Sequence, residues 1–156
     1  GVDYVASLIE ARGTRAPVFH IAGGIVAVYL VITCWRIHPF YLDYYGEQVG
    51  GARTVAAKKH FEIAWWGEGM NQALDYLNRH AEPGARVYKR CFEPGHLAWM
   101  RGDLWPAEAK RPKDAEWFLV YQPTVRSCPI PKEAELVFEA TAQGAPLARV
   151  YRRILP

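Results

Sequence analysis

One apolar stretch near the N-terminus constrains the fold of this chain more than any other feature. Residues 18–35 read VFHIAGGIVAVYLVITCW and contain no Asp, Glu, Lys or Arg. As a helix rising ~1.5 Å per residue they would cover ~27 Å, close to the ~30 Å hydrocarbon core of a bilayer. Pro17 suits a first helical turn, and Trp35 and Tyr41 suit an interfacial aromatic belt. The stretch predicts a transmembrane helix over residues 17–36.

A buried core helix of a soluble protein is the alternative, because His20, Gly23 and Gly24 dilute the apolar character. A secretory signal fits poorly, since no small-x-small cleavage pattern followed by a polar mature start is apparent. We prefer the membrane interpretation because the residues after the stretch suffice for a small water-soluble domain.

The charges around the apolar stretch predict its orientation. Residues 1–16 carry apolar side chains at helical spacing and read as an amphipathic lead-in, followed by the predicted span. Arg12 and Arg15 precede the span, whereas Arg36 alone follows it closely. By the positive-inside rule, we expect the N-terminal end in the cytoplasm and the C-terminal domain outside the cell membrane.

Residues 37–69 are predicted to form a membrane-proximal aromatic loop region. The segment 37–51 reads IHPFYLDYYGEQVGG, and aromatic side chains at a membrane exit often serve as anchors. The functional alternative is that they bind a polar headgroup or a sugar, with His38, Tyr44 and Tyr45 as candidate contacts. Further on, FEIAWWGEG predicts a loop that leads into a helix. Glu68 there favours the positive end of the helix dipole, or else contacts ligand hydroxyls together with Trp66.

The remainder, residues 70–156, predicts a small extracytoplasmic α/β (α+β) domain with a mixed sheet and one or two covering helices. A helix of about three turns is expected from residue 70, ending near Pro83 and Gly84. A hairpin is expected with Gly144 at its bend. The predicted strands are 85–92, 96–105, 116–122, 135–141 and 147–154.

Three cysteines, Cys34, Cys91 and Cys128, show no CxxC or Cys/His spacing, which argues against a structural zinc site. Cys34 would lie in or near the bilayer. Cys91 and Cys128 therefore remain as a disulfide pair if the domain faces an oxidising compartment, or as two buried thiols if it does not.

No stand-alone catalytic device is visible, so no catalytic residue, metal ligand or cofactor is assigned. The chain lacks GxSxG, HExxH, a Walker loop and GxGxxG after a strand. Four carboxylates could cluster in the membrane-proximal third: Asp43, Glu47, Glu62 and Glu68. The net charge of +3 comes from scattered residues, which gives no nucleic-acid footprint.

Several segments taken in order carry a family resemblance. They are HPFYLDYYGEQVGG, WWGEGMNQALDYLN, EWFLVYQ and the terminal PLARVYRRI. This succession resembles the C-terminal region of bacterial membrane glycosyltransferases of the GT-C fold, family 39, the dolichyl-phosphate-mannose protein mannosyltransferase type. The similarity covers the last transmembrane helix and the extracytoplasmic domain of that family. Asp43 and Gly46 depart from it, standing where a small polar residue and Asn are frequent.

The resemblance implies an inverting transfer from a polyprenyl-phosphate sugar on the outer side of the membrane. The family's catalytic acid lies in an early outer loop, upstream of the region matched here. The resemblance therefore implies a chain that is not catalytic on its own, with Tyr44, Tyr45, Trp66 and Glu68 as donor- or acceptor-side contacts. A divalent metal could assist phosphate departure, but no residues here have its ligand spacing.

Two other functions remain open. The first is a non-catalytic, single-span accessory or interaction subunit of a larger membrane protein complex. The second is a wholly soluble protein. The chain begins with Gly, and we expect it to have been processed, trimmed or read in part. The expected partners are membrane lipid, a polyprenyl-phosphate sugar if the protein is an enzyme, and a larger membrane complex.

Overall fold

The computed structural model describes residues 4, 7, 17–91, 94–123 and 127–154. The chain divides into two compact units, Gly1–His38 and Pro39–Pro156. The amphipathic lead-in predicted over residues 1–16 lies outside the described residues, apart from Tyr4 and Ser7.

The first unit contains the long apolar helix α1, Pro17–Ile37. Among the described residues, Val18–Ile37 is the one helix long and apolar enough to cross a membrane, and none of its apolar window is buried. It is therefore not the buried core helix that was the alternative. Its length and composition are those of a membrane span or of a signal sequence.

The second unit is built on a four-stranded mixed sheet. Its strands are β1 (Val87–Cys91), β2 (Trp117–Tyr121), β3 (Ala134–Ala142) and β4 (Ala145–Arg153). The order is β1-β2-β4-β3, with β1 and β2 parallel and the other pairs antiparallel. The predicted β3–β4 hairpin is present, and its turn residues Gln143 and Gly144 both have positive φ, as a type I′ hairpin turn requires.

Two helices pack on this sheet, which confirms the predicted α+β class. Helix α3, Met70–His80, buries its apolar stripe and contacts β3 and β4. The buried stripe is Met70, Ala73, Leu74 and Leu77. Helix α2, Gly51–Lys58, contacts β4. The sequence predicts a loop here instead of a helix, because the eight residues of α2 offer only a short apolar stripe.

The predicted strand over residues 96–105 is wrong. The structure has a 3-10 helix at Pro94–Trp99, followed by turns. These residues bind the end of α3 instead of a neighbouring strand: the Asn78 amide donates to the Trp99 carbonyl at 2.7 Å and accepts the Arg101 N–H at 2.8 Å. The Arg101 guanidinium also donates to the carbonyls of Ala81 and Glu82, at 3.0 and 3.1 Å, just beyond α3.

A disulfide joins a hydrophobic cluster on the sheet to a residue beyond β2. Phe118 and Val120 of β2 pack there with Tyr88 and Cys91 of β1. Cys91 is bonded to Cys128, with the two Cα atoms 5.8 Å apart and a separation of 37 positions in sequence. Closing a loop of that length stabilises the folded state by ~4 kcal/mol in the chain-entropy model.

The apolar helix and the disulfide together indicate membrane anchoring or secretion, with the second unit extracytoplasmic. Disulfides persist in oxidising compartments and are rare where thiols are kept reduced. Cys34 of α1 is a free thiol.

Candidate functional site

The candidate site is organised around residues 61–69, which we call the tryptophan loop. The loop connects α2 to α3, and its residues belong to neither a helix nor a strand. Trp65 and Trp66 are 66% and 78% exposed, whereas the neighbouring Ile63 and Ala64 are fully buried. The loop thus directs two large aromatic side chains outward from a buried backbone.

Two buried side chains hold the backbone at Ala64 from opposite directions. The Asp43 carboxylate, 2% exposed, accepts the Ala64 N–H at 2.7 Å. The Gln122 amide donates to the carbonyls of Ile63 and Ala64 at 2.8 and 2.9 Å. Ala64 has a φ of 59°, a conformation that a non-glycine residue keeps only when its surroundings impose it. These hydrogen bonds supply that constraint.

Two tyrosines fasten the loop on either side of this point. The Tyr45 hydroxyl donates to the Glu62 carbonyl at 2.6 Å, and its ring stacks on Phe61 with centroids 6.2 Å apart. The Tyr121 hydroxyl, at the end of β2, accepts the Gly67 N–H at 2.7 Å. The loop is therefore bound by residues from both the 39–51 segment and the central strand.

The carboxyl group of Asp43 is buried and lies within the electrostatic influence of Glu68. Burial raises the pKa of Asp43, the hydrogen bond from Ala64 opposes that shift, and the charge of Glu68 raises the pKa further. Glu68 Oε2 accepts the Trp66 N–H at 2.8 Å. Within the described part of the chain, Asp43 Oδ2 and Glu68 Oε1 are buried without a hydrogen-bond partner. Each of these two oxygens keeps unused capacity to accept a hydrogen bond below the loop surface.

The same surroundings act on Tyr45. Its hydroxyl lies close enough to Asp43 for the carboxylate charge to raise the pKa of Tyr45, in addition to the larger effect of burial. The phenol therefore stays protonated and keeps donating to Glu62.

The structure brings together three of the five predicted contact residues: Tyr45, Trp66 and Glu68. Tyr44 is next to them in sequence and lies at the surface. His38 belongs to the first unit, where its backbone N–H donates to the Cys34 carbonyl at 3.1 Å. Within the described ranges, no three His, Cys, Asp or Glu side chains gather as a metal site.

Sequence reasoning missed Tyr121 and Gln122 as parts of the site. Gln122 directly follows an apolar strand, where a single polar residue usually marks the end of the strand. Its partners are 58 and 59 residues away in sequence, so no local pattern signals the contact.

Gly69 sets the start of α3 against the hairpin. Its φ is +80°, and a Cβ at this position would lie 2.9 Å from Leu147 Cβ and 3.0 Å from Ala140 Cβ. Only glycine allows both the left-handed backbone and this close approach. The second glycine of the GEG triplet thus fixes where the tryptophan loop ends.

A cavity of about 680 Å³ lies at the opposite end of the strands. It is lined in part by Trp117 and Arg152, which pair at the start of β2 and the end of β4. Arg152 in its lining pairs with Glu82, and Arg153 donates to the Pro112 carbonyl at 2.6 Å, while Arg153 Nε is buried without a partner among the described residues. We place the candidate site at the tryptophan loop because it combines two exposed indoles with unpartnered carboxylate oxygens.

Comparisons with family models, with curated proteins and with solved structures found no match for this chain.

Gly69→Ala is expected to lower the free energy of unfolding by roughly 3 kcal/mol, from backbone strain and from overcrowding against the hairpin. Gly84→Ala is the matched control, because Gly84 also has positive φ but nothing lies within 4 Å of the added Cβ. Its cost should be backbone strain alone, about 1 kcal/mol. Denaturant unfolding measures both variants, and equal losses would contradict the close approach at Gly69.

Asp43→Asn is expected to remove a pH dependence of stability. Because the pKa of Asp43 is raised above its usual value of 3.8, the folded domain holds a proton that the unfolded chain has released just above that pH. This contribution to stability is complete below the unfolded pKa and is lost as pH rises through the folded pKa, by at most about 1.4 kcal/mol per pH unit. Asparagine keeps the acceptor for Ala64 and replaces the unpartnered Oδ2 with an N–H donor.

Thermal unfolding from about pH 4 to about pH 7 measures this effect. Asp75→Asn on the exposed face of α3 is the control, since its ion pair with Arg79 is solvent-exposed and worth under ~1 kcal/mol. That variant should retain the Asp43-dependent slope. An Asp43→Asn protein that unfolds far more easily at neutral pH would show that the ionised carboxylate is required.

Proposed function

We propose that this chain is the C-terminal part of a membrane glycosyltransferase. The enzyme would transfer a sugar from a polyprenyl-phosphate donor to an acceptor on the extracytoplasmic side. The domain described here would shape the acceptor side, and the catalytic acid would lie outside it. The proposal starts from the resemblance of four ordered segments to the family 39 enzymes of the GT-C fold.

One observation supports it best: these four segments, scattered along the chain, contact one another. Asp43 of the first segment binds Ala64 beside the second, at 2.7 Å. Tyr121 of the third binds Gly67 at 2.7 Å. Leu147 of the last packs against Gly69 of the second, so closely that a Cβ at position 69 would lie 2.9 Å from the Leu147 Cβ. Residues that resemble a family pattern and also depend on each other for packing are those that a shared fold would retain.

The finer localisation is part of this proposal. The N-terminal end would face the cytoplasm, because Arg12 and Arg15 outnumber Arg36 near the two ends of the apolar stretch. The disulfide between Cys91 and Cys128 agrees with an extracytoplasmic position for the domain. The partners would be membrane lipid, the polyprenyl-phosphate sugar and the rest of a larger membrane protein.

The exposed tryptophans suit the role of sugar contacts, and so does Glu68 through Oε2, the oxygen that accepts the Trp66 N–H at the surface. An indole face stacks on a sugar ring, and a carboxylate accepts hydrogen bonds from its hydroxyl groups. In the transfer itself, a carboxylate elsewhere would deprotonate the acceptor hydroxyl, which attacks the anomeric carbon as the lipid phosphate leaves. The described residues offer no ligand set that fits a divalent metal, so no step here uses one.

In the enzyme isolated from its native membrane, Trp66→Ala and Glu68→Ala are each expected to lower kcat/KM about tenfold, because an aromatic or hydrogen-bonded contact is worth ~1.4 kcal/mol. Release of polyprenyl phosphate from a panel of polyprenyl-phosphate sugars measures transfer. Trp99→Ala is the control, since Trp99 is 75% exposed but binds the opposite end of α3 through Asn78. Full activity in both site variants would contradict the proposed contacts.

The intact mass of the protein isolated from its native membrane distinguishes the proposed transferase from a single-span accessory subunit. A mass several times the 17.7 kDa of this chain fits a multi-span transferase. A mass near 17.7 kDa, without transfer activity, would instead favour a single-span accessory subunit of a larger membrane complex.

A further inference from the structure

We propose that the second unit docks on the lipid headgroup region through an aromatic face made of Tyr41, Leu42, Phe61, Trp65 and Trp66. The occupant of this face would be the bilayer surface itself. The inference does not depend on glycosyl transfer, because it uses only the exposure, charge and chain position of these residues.

The members of the aromatic face come from two segments that bind each other. Asp43, next to Leu42, holds Ala64, next to Trp65, through the 2.7 Å hydrogen bond. Tyr45 stacks on Phe61 with centroids 6.2 Å apart. The exposed side chains of residues 41–42 and 61–66 therefore belong to one part of the domain surface.

The side chains of the aromatic face are exposed to solvent. Leu42, Phe61, Trp65 and Trp66 are each more than half exposed. Buried Asp43 and Gln122 hold the backbone of Ile63 and Ala64, so the chain next to Trp65 has a fixed position. Clustered exposed aromatic residues on a rigid loop mark an interaction surface.

The chain itself points to lipid as the occupant. Tyr41 follows the last residue of α1, Ile37, by four positions, which span at most ~14 Å even when fully extended. With α1 across a bilayer, Tyr41 and Leu42 stay within reach of the headgroups. Trp and Tyr are the residues that prefer this boundary, because each combines an apolar ring with a polar tip.

Charge complements the aromatic residues. Lys58 and Lys59, at the end of α2, are exposed and precede Phe61. Neither enters an ion pair within the part of the chain that the structure describes. Two exposed ammonium groups that closely precede Phe61 in sequence favour an anionic headgroup layer over neutral lipid.

The test uses the full chain in vesicles of phosphatidylcholine and phosphatidylglycerol, with and without lipids brominated near the headgroup, which quench nearby tryptophans. The Trp65→Phe/Trp66→Phe variant should lose the part of the quenched intensity that these residues contribute and keep that of Trp35. Phenylalanine preserves the apolar surface while removing the fluorophores. Trp99→Phe, the control, should leave the quenched intensity unchanged.

Two further results decide the inference. Lys58→Glu/Lys59→Glu should reduce the quenching of Trp65 and Trp66 in vesicles with phosphatidylglycerol and leave it unchanged in pure phosphatidylcholine. Unchanged quenched intensity in the Trp65→Phe/Trp66→Phe variant would overturn the proposal. Blue-shifted but unquenched emission from Trp65 and Trp66 would also overturn it, because a protein surface would then cover the face.

Discussion

The buried backbone of Ile63 and Ala64 is the constraint on which the rest of the second unit depends. Both residues are fully buried in a loop, where neither a helix nor a sheet supplies hydrogen-bond partners. A buried peptide group left unpaired is costly, so side chains must take that role. Asp43 binds the N–H of Ala64, and Gln122 binds both carbonyls.

The orientation of the tryptophan loop follows from these hydrogen bonds. With Ile63 and Ala64 held inward, Trp65 and Trp66 face outward, and Gly67 reaches Tyr121 at the end of β2. The loop then ends at Gly69, where the chain passes too close to the β3–β4 hairpin for any Cβ. Helix α3 consequently starts in a fixed position on the sheet.

Local patterns were enough to predict much of this fold. The charge-free stretch predicts α1, the apolar spacing from Met70 predicts α3, and Gly144 marks the hairpin turn, because each depends on residues close in sequence. The strand predicted over 96–105 is wrong since the backbone of Trp99 and Arg101 pairs with the Asn78 side chain instead of a neighbouring strand. Helix α2 was missed because eight residues give too short a pattern.

The site was predictable only in part, for a similar reason. Aromatic density and the GEG triplet identify Tyr45, Trp66 and Glu68 as candidates within a short window. The side chains that position them are distant in sequence: Asp43 binds a residue 21 positions later in the chain, and Gln122 binds one 59 positions earlier. In the function we propose, this arrangement places stacking surfaces and carboxylates beside a lipid-borne sugar, on a domain tethered to the membrane by α1.

Amide hydrogen exchange of the folded chain tests most directly whether buried side chains hold the tryptophan loop rigid. We expect the N–H groups of Ala64 and Gly67 to exchange about as slowly as those of strand β2, although they lie in a loop. Exchange of both at the rate of an exposed turn would contradict it, because Asp43 and Tyr121 would then not be holding the loop.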